Sequence, residues 1–402
     1  MLATPILLLL PLLPVLPATG PTGNLPAEWG GIPLLDLNDD PDRFVTVDRE
    51  AGQYLGHVST VRPFPDQPLG DDGAGGANVV FAAYPKGHGK GAIMLKRSDD
   101  GGQTWSERLP TPANWATSLE TPTLFRVVDP AGTPRLILWS GLNPARLAVS
   151  EDHGENWSPL APVGPPQNRW GGIVVMGDQA RVGPGEYLAM FHDDGRFLAP
   201  DGGERGDFRL LQTRSADGGL TWSEPRTIWR GNDVNLCEPG FVRSPDGRTL
   251  AALLRENRRV KNSHITFTTD GGQHWAPPRE MPETLTGDRH QAVRVPGEKG
   301  PDGRLFISFR DTAAGSPTRG DWVAWVGTWD DLVGGRPGQY RVRLKDNTRA
   351  ADCAYPGVEA LPDGTILAVT YGHWEQGEPP YILAARLRLE ELDARLGSAS
   401  VE

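Results

Sequence analysis

The chain has 402 residues, a net charge of −11 at neutral pH, 50 glycines, 38 prolines, 13 tryptophans and two cysteines. The negative balance argues against nucleic acid as a partner, because phosphate backbones bind basic surfaces. Two cysteines, Cys237 and Cys353, make no disulfide framework and read as small buried thiols, while the wealth of Gly, Pro and Trp suits many short strands joined by tight turns.

The amino end comes first. Residues 1–20 hold an apolar core, Ile6 to Leu13, too short to span a bilayer and followed by the small residues Ala18, Thr19 and Gly20. This pattern predicts a signal peptide, a secreted or periplasmic product and no membrane span in the mature chain. Residues 21–43, rich in Pro, Gly and Asp, form a lead-in. Residues 44–390 are expected to be one repeat domain, with 391–402 as a carboxy-terminal tail. Phe44 to Val47 reads as a strand that closes the ring as the outer strand of the last repeat.

Within the repeat domain one short pattern, S/T-x-D-x-G-x-x-W, occurs four times. It runs from Ser98 to Trp105, Ser150 to Trp157, Ser215 to Trp222 and Thr268 to Trp275, a period of roughly 50–65 residues. Asp and Gly demand a tight turn, an apolar run enters it, and the Trp packs back over it. Four copies cannot all be one active site, so these boxes specify fold rather than chemistry. Around them six units share a layout of strands and hairpin turns, the latter at residues 245–247, 301–303 and 362–364. The prediction is an all-β, six-bladed propeller with four such boxes. Blades five and six lack a good box, and Thr328 to Asp331 reads as a degenerate remnant.

In a propeller the start of each first strand and the end of each second strand share a rim near the axis. Here apolar strands stop abruptly at polar residues of uncommon kind. In chain order these are His57, Lys86 and His88, Glu120, Asp193, Glu238, Arg255, Asp288 and Arg289, Arg310 and Tyr355. A merely solvated rim would carry mixed Lys, Glu and Ser. Arg, Tyr and His in these places point to a pocket, and rim arginines point to an anionic ligand, because a guanidinium pairs two-pronged with a carboxylate. No metal-ligand spacing stands out and no cofactor is expected.

The boxes are similar to the Asp boxes of sialidases and related propellers, and the rim extends the resemblance. Sialidases hold the sugar carboxylate with three arginines and use a tyrosine nucleophile activated by a glutamate, with an aspartic acid as acid/base. Glu238 at the start of blade four, Arg255 at the end of its second strand, Arg310 at the equivalent place in blade five and Tyr355 at the start of blade six match this order. The chemistry is coherent, since a neutral phenol, unlike a carboxylate, is not repelled by a sugar that carries its own carboxylate at the anomeric carbon. A phenol with a pKa of ~10 needs a nearby base.

Three departures are linked. Where the family has its first arginine, the chain has His57; where it has the acid, Lys86 and His88; where it has the brace of the first arginine, Gly372 and His373. The expected substitutes are Arg289 as third carboxylate ligand and Asp193 or His88 as acid, with His57, Lys86, Asp288 and Glu120 as further ligand contacts. The resemblance implies a retaining exo-sialidase-like hydrolase, acting as a monomer, that releases terminal sialic acid from glycans. The alternatives are a glycan-binding propeller without turnover and a glycosidase for another anionic sugar.

Overall fold

The four Asp-box turns are built alike. In the first, the Ser98 hydroxyl donates to the Asp100 carboxylate and accepts the Gly102 amide, both at 2.8 Å, while Asp100 accepts the amides of Gln103 and Thr104. Ser150 with Asp152, Ser215 with Asp217 and Thr268 with Asp270 repeat the scheme. The fifth-position glycines are irreplaceable on two counts. Their φ angles are +83°, +98°, +82° and +82° at Gly102, Gly154, Gly219 and Gly272. A Cβ there would meet Leu367 at 2.5 Å, Phe81 at 2.6 Å, Val127 at 3.1 Å and Leu188 at 2.5 Å, respectively. Each contacted side chain belongs to the preceding blade, so each box fastens one blade to its neighbour.

A computed structural model of the chain describes residues 27–66, 76–142, 144–164, 174–196, 206–295, 303–349 and 351–399. It contains six sheets arranged as a six-bladed β-propeller. Blade one comprises Ser59–Val61, Val80–Pro85 and Ile93–Ser98, and blade two Pro122–Val128, Pro134–Ser140, Arg146–Ser150 and Ala161–Pro162. Blade three comprises Val174–Gly183, Glu186–Asp193, Arg209–Ser215 and Arg226–Arg230, and blade four Leu236–Arg243, Leu250–Glu256, His264–Thr268 and Arg279–Glu280. Blade five is built from Gly287–Val295, Arg304–Asp311, Trp322–Gly327 and Tyr340–Lys345. Blade six is built from Gly357–Ala360, Ile366–Gly372 and Tyr381–Leu387, with Phe44–Asp48 antiparallel to the last of these. This strand from the amino-terminal part closes the ring by completing the last blade. The apolar clusters lie between blades: Trp139 of blade two, for instance, packs with Phe191 and Trp222 of blade three.

The blades without boxes use a different fastener at the same place. The stretch at Thr328 is no box remnant. Thr328 caps a short helix, Trp329–Gly334, in a reciprocal arrangement with Asp331. Its Leu332 is buried in a cluster with Val242 and Leu253 of blade four. In blade six the third strand runs into helix Leu389–Ala399, whose Leu389 and Leu392 are buried against blades five and six. The segment set apart as a tail is thus mostly helix, and Asp393 pairs with the buried Arg304 at 2.8 Å. The lead-in also has structure: Ile32–Asp36 adds a parallel strand outside Tyr340–Lys345. Cys237 and Cys353 are free and buried. The expected signal peptide, the start of blade three at residues 170–172 and the turn residues 301–302 lie outside the described residues.

Candidate active site

Backbone geometry marks one rim. Of the non-glycine residues with positive φ, Glu238 (48°), Arg259 (61°), Arg289 (52°), Ala351 (61°) and Ala354 (55°) all fall where blades four, five and six meet the axis. Such conformations cost of order 1–3 kcal/mol each and persist where the surrounding fold enforces them, often at functional sites. In blades four and five the cause is a bulge in the first strand, between Cys237 and Gly240 and between Asp288 and Gln291. A bulge re-aims the side chain it carries, and this one turns Glu238 inward.

Glu238 and Tyr355, 117 residues apart in sequence, meet there. The buried Tyr355 hydroxyl donates to Glu238 Oε1 at 2.9 Å and accepts from Arg255 Nη1 at 2.7 Å. Arg255 Nη1 also donates to Glu238 Oε1 at 2.5 Å. Arg310 lies over the Tyr355 ring, 5.1 Å from its centroid, and its Nη2 reaches the hydroxyl at 3.5 Å. Burial pushes the Tyr355 phenol well above its ordinary value. Arg255 offsets part of that rise, and the Glu238 charge adds to it. The phenol is thus protonated at rest, with a carboxylate oxygen already holding its hydrogen. Glu238 Oε2 is buried and has no hydrogen-bond partner.

Beneath these groups Asp288 is fully buried and gathers three guanidiniums. Arg310 Nε donates to it at 3.0 Å, Arg259 Nη2 at 2.7 Å, and Arg255 Nε lies 3.2 Å from its other oxygen. Burial alone would raise its pKa, but Arg310, Arg255 and Arg259 together hold it far below the usual carboxylate range. Asp288 was expected to touch the ligand. Its burial under the arginines makes it their brace instead. Three guanidiniums face two carboxylates, Asp288 and Glu238, which leaves one positive charge unmatched. Arg259 was not singled out in the sequence. It follows Arg258 in a loop, where no strand alternation indicates direction, and the cluster Arg255, Arg258, Arg259 was its only signal.

Arg289 does not join this group. Its guanidinium is buried and donates to the carbonyls of Gly177 at 2.8 Å and Pro239 at 3.3 Å. It lines a separate cavity of about 400 Å³ with Asp178, Gln291 and Glu359, enclosed by the first strands of all six blades and so running along the axis. The blade-four bulge turns Glu238 toward Tyr355, whereas the matching bulge of blade five turns Arg289 toward that channel, and the third arginine at Asp288 is Arg259.

The opposite half of the rim is aromatic. His57, where the family's first arginine would stand, is buried and stacks on Tyr355 at 4.2 Å between ring centroids and 19° between planes. Its Nδ1 bonds the Thr121 hydroxyl at 2.7 Å. Burial, with the charges of His88 and Arg310, keeps it neutral well below its ordinary pKa. Asp352, passed over in the sequence, organises this side. It accepts the Tyr54 hydroxyl at 2.7 Å and faces His373 Nε2 at 3.0 Å and His88 Nδ1 at 3.5 Å. Burial would raise its pKa, yet the contacts with His88, Tyr54 and His373 hold it low. His88 is 64% exposed, and its Nδ1 sits 2.8 Å from the Tyr54 hydroxyl. Lys86 turns away from the pocket to Glu50 at 2.8 Å, which corrects its expected ligand role. Asp193 is fully buried. Its neighbour Asp194 holds Arg196 at 2.7 Å. Glu120 is partly exposed and accepts the Thr121 amide at 2.9 Å.

Comparison with known proteins agrees with the fold. A family model described as a BNR repeat-like domain matches residues 80–308. A sialidase of Micromonospora viridifaciens is 24% identical over 316 residues, covering 69% of this chain and 44% of that protein, so the chain spans less than half the length of this curated relative. Among solved structures, a protein of unknown function from Dyadobacter fermentans superposes with a TM-score of 0.63 at 16% identity, covering 86% of this chain and 98% of that one. A mutant NanB sialidase of Streptococcus pneumoniae gives 0.59 at 11% identity, over 87% and 71%. The intramolecular trans-sialidase of Ruminococcus gnavus gives 0.52 at 14%, over 84% and 95%. At these identities the structures bear on fold alone. The family model spans more than half of the chain, which belongs to the BNR repeat-like family within the sialidase propeller superfamily.

Proposed function

We propose that the protein is an exo-acting, retaining glycoside hydrolase that releases a terminal sialic acid, or a related acidic sugar, from a glycan. The observation that carries this reading is the convergence of Tyr355, Glu238 and Arg255 in one hydrogen-bonded group beside a net positive arginine cluster. The ligand carboxylate would seat on the guanidiniums of Arg255, Arg259 and Arg310, satisfying their excess charge. Tyr355 attacks the anomeric carbon as Glu238 takes the phenolic proton. This avoids the charge repulsion that a carboxylate nucleophile would meet, and it agrees with the tyrosine-nucleophile exception to two-carboxylate glycosidases. Two displacements at one carbon return the original configuration.

The test is incubation with a fluorogenic sialoside beside a fluorogenic glucuronide, followed by NMR of the first-formed sugar. Release from the sialoside with retention is expected, and a fluorinated sialoside should label Tyr355. Cleavage of the glucuronide alone would move the substrate to uronates; inversion would remove the tyrosyl intermediate.

A further inference from the structure

We infer that Glu120 is the proton donor to the leaving group, replacing the acid missing from the loop at residues 85–90; this rests on the reading proposed above. The other rim carboxyls are already committed. Glu238 is bound to Tyr355 and Arg255, Asp288 is sealed under three arginines, and Asp352 is held by Tyr54 and two histidines. Asp193 is fully buried and Asp194 pairs with Arg196. Glu120 differs from all of these. It stands at the mouth of blade two and leans over the blade-one loop, where a Cβ on Gly89 would lie 2.8 Å from its Oε1. Gly89 is thus the opening through which a carboxyl from the next blade reaches the place of the absent one.

Three successive contacts link Glu120 to the reacting centre. Glu120 Oε1 accepts the Thr121 hydroxyl at 3.1 Å, that oxygen lies 2.7 Å from His57 Nδ1, and the His57 ring stacks on Tyr355. The hydrogen bonds that Glu120 receives fall on Oε1, which leaves Oε2 to carry a proton. Burial and the nearby Glu238 charge favour the protonated form, although Thr121 and His88 oppose it. In the first step Glu120 gives its proton to the glycosidic oxygen as the bond to the anomeric carbon breaks and the Tyr355 oxygen bonds to that carbon; the phenolic proton passes to Glu238. In the second step the Glu120 carboxylate takes a proton from the attacking water. The tyrosyl–carbon bond breaks, and Glu238 returns the proton to Tyr355.

An acid is needed most where the leaving group is a poor one. Glu120→Gln should therefore lower kcat/KM for sialyl-lactose, whose leaving group is a sugar alcohol, by about 10²–10⁴-fold. It should lower kcat/KM for 4-nitrophenyl sialoside, which reports the first step alone and whose leaving group departs unaided, by less than about tenfold, and the high-pH limb of the sialyl-lactose kcat/KM profile should disappear. Equal losses on both substrates, or no loss on either, would overturn the assignment while leaving the hydrolase reading intact. If the wild-type protein cleaves neither sialoside, the hydrolase reading fails and the assignment falls with it.

Discussion

The two halves of the rim solve the same problem with different chemistry. On blades four and five, charge does the work: Arg255, Arg259 and Arg310 converge on Asp288, and Glu238 draws Tyr355 into the cluster. On blades six and one, neutral rings do it: His57, Tyr54 and Tyr371 crowd around Tyr355 and Asp352. Tyr355 is where they meet, with a guanidinium over one face of its surroundings and an imidazole stacked on its ring. The difference teaches that a missing arginine need not leave a hole. Where the sequence comparison leads one to expect an arginine and its carboxylate brace, His57 and His373 stand in a wall of neutral rings around Asp352, and such a charged pair is best lost as a unit because removing one member would strand the other.

The sharpest way to break this comparison is at the shared residue. Tyr355→Phe removes the hydroxyl and keeps the ring that His57 stacks upon. Turnover of a sialoside should fall by about 10³–10⁶-fold, as when a nucleophile is removed, while the thermal midpoint changes little. A fully active Tyr355→Phe would detach the chemistry from both halves.

The charged half alone is tested by Asp288→Asn. Three arginines would lose their common counter-charge, and breaking a buried pair of this kind costs about 3–5 kcal/mol, read as a lower urea midpoint. A small change would mean that solvent already screens the cluster. Replacing one cation is milder. Arg310→Ala should weaken binding of an anionic sugar by about 1.5–3 kcal/mol, the range for a charged hydrogen bond, measured by calorimetry. Equal weakening for a neutral sugar would show that the guanidinium shapes the pocket rather than reads charge.

Much of the charged half was legible because strands give direction. Glu238, Arg255 and Arg310 stand at fixed places in the repeat, so register alone brought them to one rim. Arg289 shows the limit: it occupies the place in blade five that Glu238 holds in blade four, both with positive φ on a bulge, yet the two side chains diverge. The position was readable, the rotamer was not. Arg259 and Asp352 lie in loops between strands, where no periodicity applies. The Asp boxes were legible because each needs a hydroxyl, a carboxylate and a glycine at fixed spacing. The helices that replace them in blades five and six follow from caps and leucines instead, a grammar unlike that of the boxes.

Acid should act through the buried, neutral histidines on both sides of the pocket. His192, whose ring nitrogen faces the Glu238 amide at 3.4 Å, is pushed down to about 3 by burial, and His57 is lowered as well. Their unfolded counterparts titrate near 6.5, so between that value and the folded one the unfolded chain binds more protons. Stability is then full above pH 6.5 and declines as pH falls, by about 2 kcal/mol at pH 5 for His192 alone. Urea midpoints measured from pH 7.5 to 4.5 should show this decline, and His192→Gln should flatten it.

The smallest effect probes how the neutral half acts on the reaction. His57 touches Tyr355 through ring stacking and is anchored by Thr121, so it fixes where the phenol points without supplying charge. Losing such a stacked pair costs about 0.5–1.5 kcal/mol. His57→Leu keeps an apolar filler and removes both the stacking and the anchor, so kcat should fall by about 2–12-fold. KM for a sialoside should hardly move, because the carboxylate sits on the other half. His57→Phe restores a ring without the Thr121 bond and should recover part of kcat. A rise in KM instead, with kcat unchanged, would mean that His57 contacts the sugar directly. The aromatic wall would then be a second binding surface rather than the support of the nucleophile.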